Sequence, residues 1–193
     1  PFLMPWIFYR NHVDHHNAQH FGTPRDGEYL PLASSPLRET IRYLAQVPLL
    51  PLFMLVRLGL LGPLSWLHRG LREWVLTHAS AAVSNPWYAK RFPRRDEPHL
   101  RVVEALAFIY LIALGTLVAG TIGLKHIFLG YLLLAGALGL NWVRNLAAHR
   151  YGNRGEPMSH LEQMEDSINI TGQTWLTLLL FPVGLRYHAL HHL

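Results

Sequence analysis

Two short segments carry one pattern of histidines. His12-Val-Asp-His15-His16 and His188-Ala-Leu-His191-His192 each read His-x-x-His-His. On a helix, positions i, i+3 and i+4 share a face, about one turn apart. Each segment therefore presents three imidazoles in one direction. Neutral imidazole is the commonest metal ligand among side chains. The chain holds 13 histidines and no cysteine in 193 residues. Without thiolates, disulfides and zinc-finger, ribbon or iron–sulfur sites are excluded.

A third element lies between the two: Asn141-Trp-Val-Arg-Asn145-Leu-Ala-Ala-His149. Asn145 and His149 are four apart, so they share a helix face. Seven histidines of this kind result: His12, His15, His16, His149, His188, His191 and His192. Seven exceed the ligands of one ion and suit two. A nitrogen-rich, sulfur-free set fits iron, zinc or copper, and spacing leaves the metal open. Zinc would support hydrolysis; iron would support oxygen activation. Asp14, inside the first pattern, is placed to orient an imidazole by accepting its second N–H. Asp166 and Asn169 are further candidates for that role. No catalytic residue is expected beyond the metal ligands. His20 falls outside the pattern and reads as a neighbour of the site or as solvated. His68, His78, His99, His126 and His160 read as solvated or interfacial.

The elements that position these residues are largely apolar. Half of the residues are hydrophobic and 15% charged, against roughly 25% in soluble domains. The net charge of +5 would suggest nucleic acid on a soluble chain. With long apolar runs it suggests a membrane protein with a basic cytoplasmic face, and no nucleic-acid partner. Residues 1–9 read as the tail of a membrane helix, and residues 22–36 as a loop. Residues 41–67 are apolar but broken by Arg42, Pro48, Pro51, Arg57 and Pro63, which predicts a helix or kinked pair at the interface. Residues 68–101 are polar and basic. The basic run of residues 90–95 is a topology signal that could also dock an acidic electron donor.

Residues 102–124 and 127–143 predict a transmembrane hairpin turning at Lys125–His126. Residues 172–185 are too short to span and predict a re-entrant or interfacial piece. Trp142, Trp175 and Tyr187 are expected to anchor at the interface, with lining of an acyl tunnel as the alternative. Parity makes this arrangement chemical. If only the hairpin crosses, both histidine patterns face one compartment. The expected fold is therefore an all-α integral membrane bundle, with a transmembrane hairpin, interfacial helices and a cytoplasmic histidine-rich cap. Residues 1–193 read as one domain, incomplete at the N-terminus and at the C-terminus.

His-x-x-His-His twice around an intramembrane hairpin, with Asn145-Leu-Ala-Ala-His149 at its return, resembles the membrane fatty acid desaturase family. That family carries three histidine boxes, and the resemblance covers most of the chain. It implies two iron ions held by His12, His15, His16, His149, His188, His191 and His192, with Asn145 linked through water. It also implies molecular oxygen as oxidant and a cytochrome b5- or ferredoxin-type electron donor. The implied reaction is oxygen-dependent desaturation of a lipid acyl chain, at a site on the cytoplasmic face. The family's first box has no counterpart in the eleven residues before His12, so part of the site is expected upstream. Hydroxylation on the same architecture is the nearest alternative. A histidine-rich membrane metal transporter is the alternative from another class.

Overall fold

A computed structural model describes residues 11–12, 14–80, 85–89, 96–121, 123–172, 174–182 and 184–192. Residues 1–9 and the basic run of residues 90–95 lie outside the described residues. The described residues are mainly helical and contain no strand, only isolated bridges between His149 and Ser167 and between Asn169 and Tyr187. The chain is an all-α membrane bundle.

Two long helices dominate, α5 (Glu97–Thr121) and α6 (Leu124–Ala148), numbered here in chain order after four shorter ones. Each has 25 residues, about 37 Å at 1.5 Å per residue. That exceeds a hydrocarbon core of about 30 Å. Both leave large apolar side chains exposed, among them Ile109, Leu117, Phe128 and Leu133. A helix exposed and apolar on most faces is built for lipid. The reversal differs from the expectation. Gly123 is the N-cap of α6, and the His126 N–H donates to its carbonyl at 2.9 Å. Lys125 and His126 thus lie in the first turn of α6, where polar side chains sit at the end of an apolar run.

The segment Pro36–Leu67 is also long and apolar enough to cross a membrane, at 32 residues. It comprises α1 (Pro36–Leu44), a 3₁₀ turn (Val47–Leu49), α2 (Leu50–Val56), a π turn (Arg57–Leu61) and α3 (Gly62–Leu67). Prolines open α1, the 3₁₀ turn, α2 and α3, where a missing N–H costs nothing. Its packing partners show its path. Tyr43 stacks on Trp142 at 3.8 Å. Val47 packs so tightly on Gly139 that an added Cβ there would meet it at 2.7 Å. The Tyr131 hydroxyl donates to the Pro48 carbonyl. The chain thus descends along α6, away from His149. It returns along α5, with Gly59 beside Leu111, then Arg57 and Trp66 on Glu104. It is a kinked pair that dips between the two long helices and leaves on the side it entered.

After α3 come α4 (Arg69–His78) and, past the hairpin, α7 (His160–Asp166), α8 (Thr174–Leu180) and α9 (His188–His191). α7 opens on a reciprocal cap, with Ser159 and Glu162 each bonding the other's backbone N–H. α8 has only seven residues, far short of a span, and the Arg144 Nε–H donates to the Leu180 carbonyl. The loop of residues 22–36 folds back over the end of α6. Phe21, Tyr29, Leu30, Leu32, Tyr43, Leu50, Trp142 and Tyr151 form the buried core beneath it. Trp142, expected at the membrane interface, is 1% exposed and belongs to this core. Trp175 is 75% exposed.

Candidate metal centre

Each histidine pattern folds locally as its spacing demands. Residues 11, 12, 14 and 15 are helical, and the His16 N–H donates to the His12 carbonyl at 3.0 Å. At the other end, the Asn169 side-chain carbonyl accepts the Ala189 N–H at 3.0 Å, inside α9. His149 follows α6 in extended conformation. Its neighbours pin it against the segment after α7: the Ile168 N–H donates to the Ala148 carbonyl, and the Arg150 N–H to the Asp166 carbonyl.

These elements bring all seven histidines together, as two adjacent groups. His15, His149, His188 and His192 form the first; His12, His16 and His191 form the second. In the first, Nε2 atoms of His15 and His149 are 3.1 Å apart, those of His149 and His188 2.9 Å, and those of His188 and His192 3.0 Å. In the second, His12 and His191 are 2.9 Å apart through the same atoms, and His16 is 3.1 Å from each. Rings from the two groups also touch, with His16 stacked on His192 at 4.4 Å between centroids.

The outward Nδ1 atoms have carboxylate and hydroxyl partners. His15 Nδ1 is 2.8 Å from Asp26, and His12 Nδ1 is 2.9 Å from Glu28. His149 Nδ1 lies 3.4 Å from Asp166 and 3.3 Å from the Ser167 hydroxyl. Asp26 is itself fixed. It accepts backbone N–H groups from Gly22, Glu28 and Tyr29. Gly22 reaches this turn at φ +70, and a Cβ there would strike Asn153 at 2.4 Å, so only glycine suits it. Asp166 accepts the Tyr29 hydroxyl at 3.0 Å.

Electrostatics follow from this packing. Burial disfavours charge on the rings of His15, His16, His149, His188, His191 and His192. It pushes His188 down to about 2 and His16 to about 4, with neighbouring imidazoles adding to the effect. His149, His191 and His192 are lowered by burial first and by adjacent imidazoles second. His15 goes the other way: burial opposes its charge, but the Asp26 carboxylate outweighs burial and raises it. Asp26 is lowered despite burial, by His15 and by the backbone N–H groups of Glu28 and Gly22.

The donor set fits metal ions. An imidazole that gives Nδ1–H to a carboxylate keeps its Nε2 lone pair, and here those lone pairs face one another. Such a grouping is repulsive without a shared cation. Nε2 atoms 2.9–3.1 Å apart also match adjacent ligands on an ion bound at about 2.0–2.1 Å, which subtend roughly a right angle. Carboxylates behind ligating histidines are the usual outer support of a metal site.

The remaining expectations fall out unevenly. Asp166 does approach an imidazole, and Asn169 acts on the backbone of α9 instead. Asp14 Oδ1 lies 4.0 Å from His20 Nδ1. Asn145 donates to the Tyr43 hydroxyl at 3.4 Å and the Glu28 carbonyl at 3.5 Å. It lines a cavity of about 350 Å³ with His12, His188, Leu138, Trp142 and Phe181. Asp26 and Glu28, the two carboxylates that hold box histidines, were missed in the sequence. The available signal was an Asp-x-Glu pair in a turn-rich loop directly after a histidine box.

A model of the fatty acid desaturase family matches residues 1–193, and the chain belongs to that family. A ceramide hydroxylase of Caulobacter vibrioides (strain NA1000 / CB15N) is 33% identical over 195 residues. That alignment covers 100% of this chain and 56% of the relative, so the chain spans about half the relative's length. No solved structure matches.

Proposed function

We propose that this chain forms the metal-binding part of a membrane enzyme that uses molecular oxygen to oxidise an aliphatic carbon of a lipid acyl chain. The observation that carries this reading is the facing of seven Nε2 atoms in two groups, with Nδ1 atoms of His12, His15 and His149 braced from behind. His15, His149, His188 and His192 would hold one iron, and His12, His16 and His191 the other. Asn145 would act through water from the cavity wall. Iron bound there would supply oxygen activation and removal of hydrogen from an unactivated carbon.

The chain's own residues supply the rest. Asp26, Glu28 and Asp166 hold the rings in one tautomer. Leu138, Trp142 and Phe181 line an apolar cavity beside His12 and His188, which suits an acyl chain and keeps water from it. Electrons would come from a cytochrome b5- or ferredoxin-type donor, on the cytoplasmic side that the basic residues favour.

Two products fit this site. The family name supports a new double bond, the outcome expected from the sequence. The relative's name supports a new hydroxyl. We take hydroxylation as the leading outcome, because that relative aligns along the whole chain. A transporter would hold its ligands near the bilayer midplane, whereas His149 lies just past the last residue of α6. The test is lipid product analysis in cells expressing full-length protein, with a His191→Ala variant as control. A new hydroxyl or double bond absent from the variant supports the reading. An unchanged lipid profile with iron-loaded protein and a competent donor refutes it.

A further inference from the structure

A second polar cavity, of about 710 Å³, lies away from the histidines, between α3, α4 and the start of α5. Behind it sits a buried ion trio. Glu104 is fully buried and accepts from Arg57 Nη2 at 2.6 Å and from Arg72 Nη1 at 2.5 Å. Trp66 adds an indole N–H at 3.2 Å. Arg72 is the member of the trio that lines the cavity. Its side chain is 5% exposed, with Nε on Glu97 and Nη1 on Ser65 and Glu104. Its Nη2 is buried and, among the described residues, has no partner.

A buried guanidinium N–H without an acceptor is costly. Every other polar arm of Arg72 is committed, which leaves that N–H for an acceptor that the described residues do not supply. The wall also holds Arg69 and Arg101, exposed by 79% and 53%, with Glu73 3.9 Å from Arg69 and Glu97 2.8 Å from Arg101. Three guanidinium groups against those two carboxylates leave the wall net positive, which suits the oxygens of a phosphate, acceptors of charge-assisted, forked hydrogen bonds. The setting is a membrane interface. Arg101 is followed at once by the apolar run of α5, and Leu67 in the cavity wall is 84% exposed.

We propose that this cavity binds a phosphate oxyanion presented by a lipid headgroup, with Arg72, Arg69 and Arg101 as its donors. The acyl chains of that lipid would lie against the exposed apolar surface beside the cavity. The site is separate from the histidine centre and independent of the reaction carried out there.

The experiment uses full-length protein, stripped of lipid in a neutral detergent. It is titrated with phosphatidylglycerol, with diacylglycerol of the same chains, and with inorganic phosphate as competitor. Bound lipid is counted by native mass spectrometry. Phosphatidylglycerol should bind and diacylglycerol should not. Arg69→Gln with Arg101→Gln should weaken binding by about tenfold or more. Thr77→Glu, which puts a carboxylate in the cavity wall, should weaken it similarly. Arg38→Gln with Arg42→Gln removes the same charge from another face and should leave binding unchanged. Equal binding of the two lipids, or wild-type binding in both cavity variants, overturns the proposal. Displacement of the lipid by an equal concentration of inorganic phosphate would make this a soluble-anion site, and the lipid assignment would fall.

Discussion

His15 and Asp26 form a buried pair, with Nδ1 2.8 Å from Oδ2 and side chains 1% and 0% exposed. The opposite nitrogen of the same ring faces His149 at 3.1 Å. One ring thus joins the loop after the first box to the end of α6. The pair also explains why that loop is shaped as it is. Its backbone N–H groups at Gly22, Glu28 and Tyr29 all turn onto the Asp26 carboxylate.

Asp26→Asn should therefore weaken metal binding at the four-histidine group. Removing a carboxylate behind a ligating histidine costs about 10–100-fold in affinity, and the burial of Asp26 places this variant at the upper end. Glu28→Gln should act on the three-histidine group and by less, because His12 and Glu28 are 31% and 20% exposed. Metal titration of the two variants decides it. Equal effects of both variants on both groups would contradict the division.

The division also predicts stoichiometry. Wild-type full-length protein should hold two ions, one for each group. His191→Ala and His192→Ala remove ligands from different groups. Each variant should keep about one ion and lose turnover, since a missing imidazole cannot be replaced by alanine. Elemental analysis of both variants is the check. Two tightly held ions in either would show that the residue removed is no ligand.

Glu104→Gln should be strongly destabilising. It leaves Arg57 and Arg72 without their shared carboxylate in a site where Glu104 is fully buried. Removing one partner of a buried ion pair costs about 3–5 kcal/mol. Thermal unfolding in detergent should show a lower midpoint, and an unchanged midpoint would mean the trio is hydrated.

The topology can be read chemically because the chain has no cysteine. Cysteine placed at exposed Lys125 should react with an impermeant reagent from one side of the membrane. Cysteine at exposed Glu156, near the histidine centre, should react from the other. Labelling of both from one side would undo the hairpin.

The histidine boxes were legible because ligand spacing is local: i, i+3 and i+4 fix one face whatever the rest of the chain does. The four-residue separation of Asn145 and His149 was legible only as a spacing, because His149 leaves α6 in extended conformation. Asp26 and Glu28 were not, because the loop that carries them doubles back through contacts such as Asn153 with Gly22, 131 residues apart. The breaks in residues 41–67 were visible as Pro48, Pro51 and Pro63. Their direction was not, since it depends on Gly139 admitting Val47 and on Glu104 drawing Arg57 back along α5. Glu104 is a charge at the start of an apolar run, but its two arginines come from distant turns. Trp142 was misread for a related reason. An aromatic residue near a span end looks like an anchor until Tyr43 is known to stack on it.

Asn145 separates metal retention from turnover. Its amide lies one helical turn from His149 and lines the cavity that also contains His12 and His188. Its hydrogen bonds, to Tyr43 at 3.4 Å and to the Glu28 carbonyl at 3.5 Å, are long, so their loss should cost little stability. No imidazole in either group depends on it for a tautomer. Asn145→Ala should therefore keep most of the metal and a near-normal thermal midpoint while losing rate, because an amide acting through water contributes orientation and polarity. His149→Ala should lose both metal and rate, since its Nε2 faces those of His15 and His188 directly. Metal content, thermal midpoint and turnover of the two full-length variants are measured together. Wild-type turnover in Asn145→Ala would leave that residue as an ordinary tie between α6 and the loop.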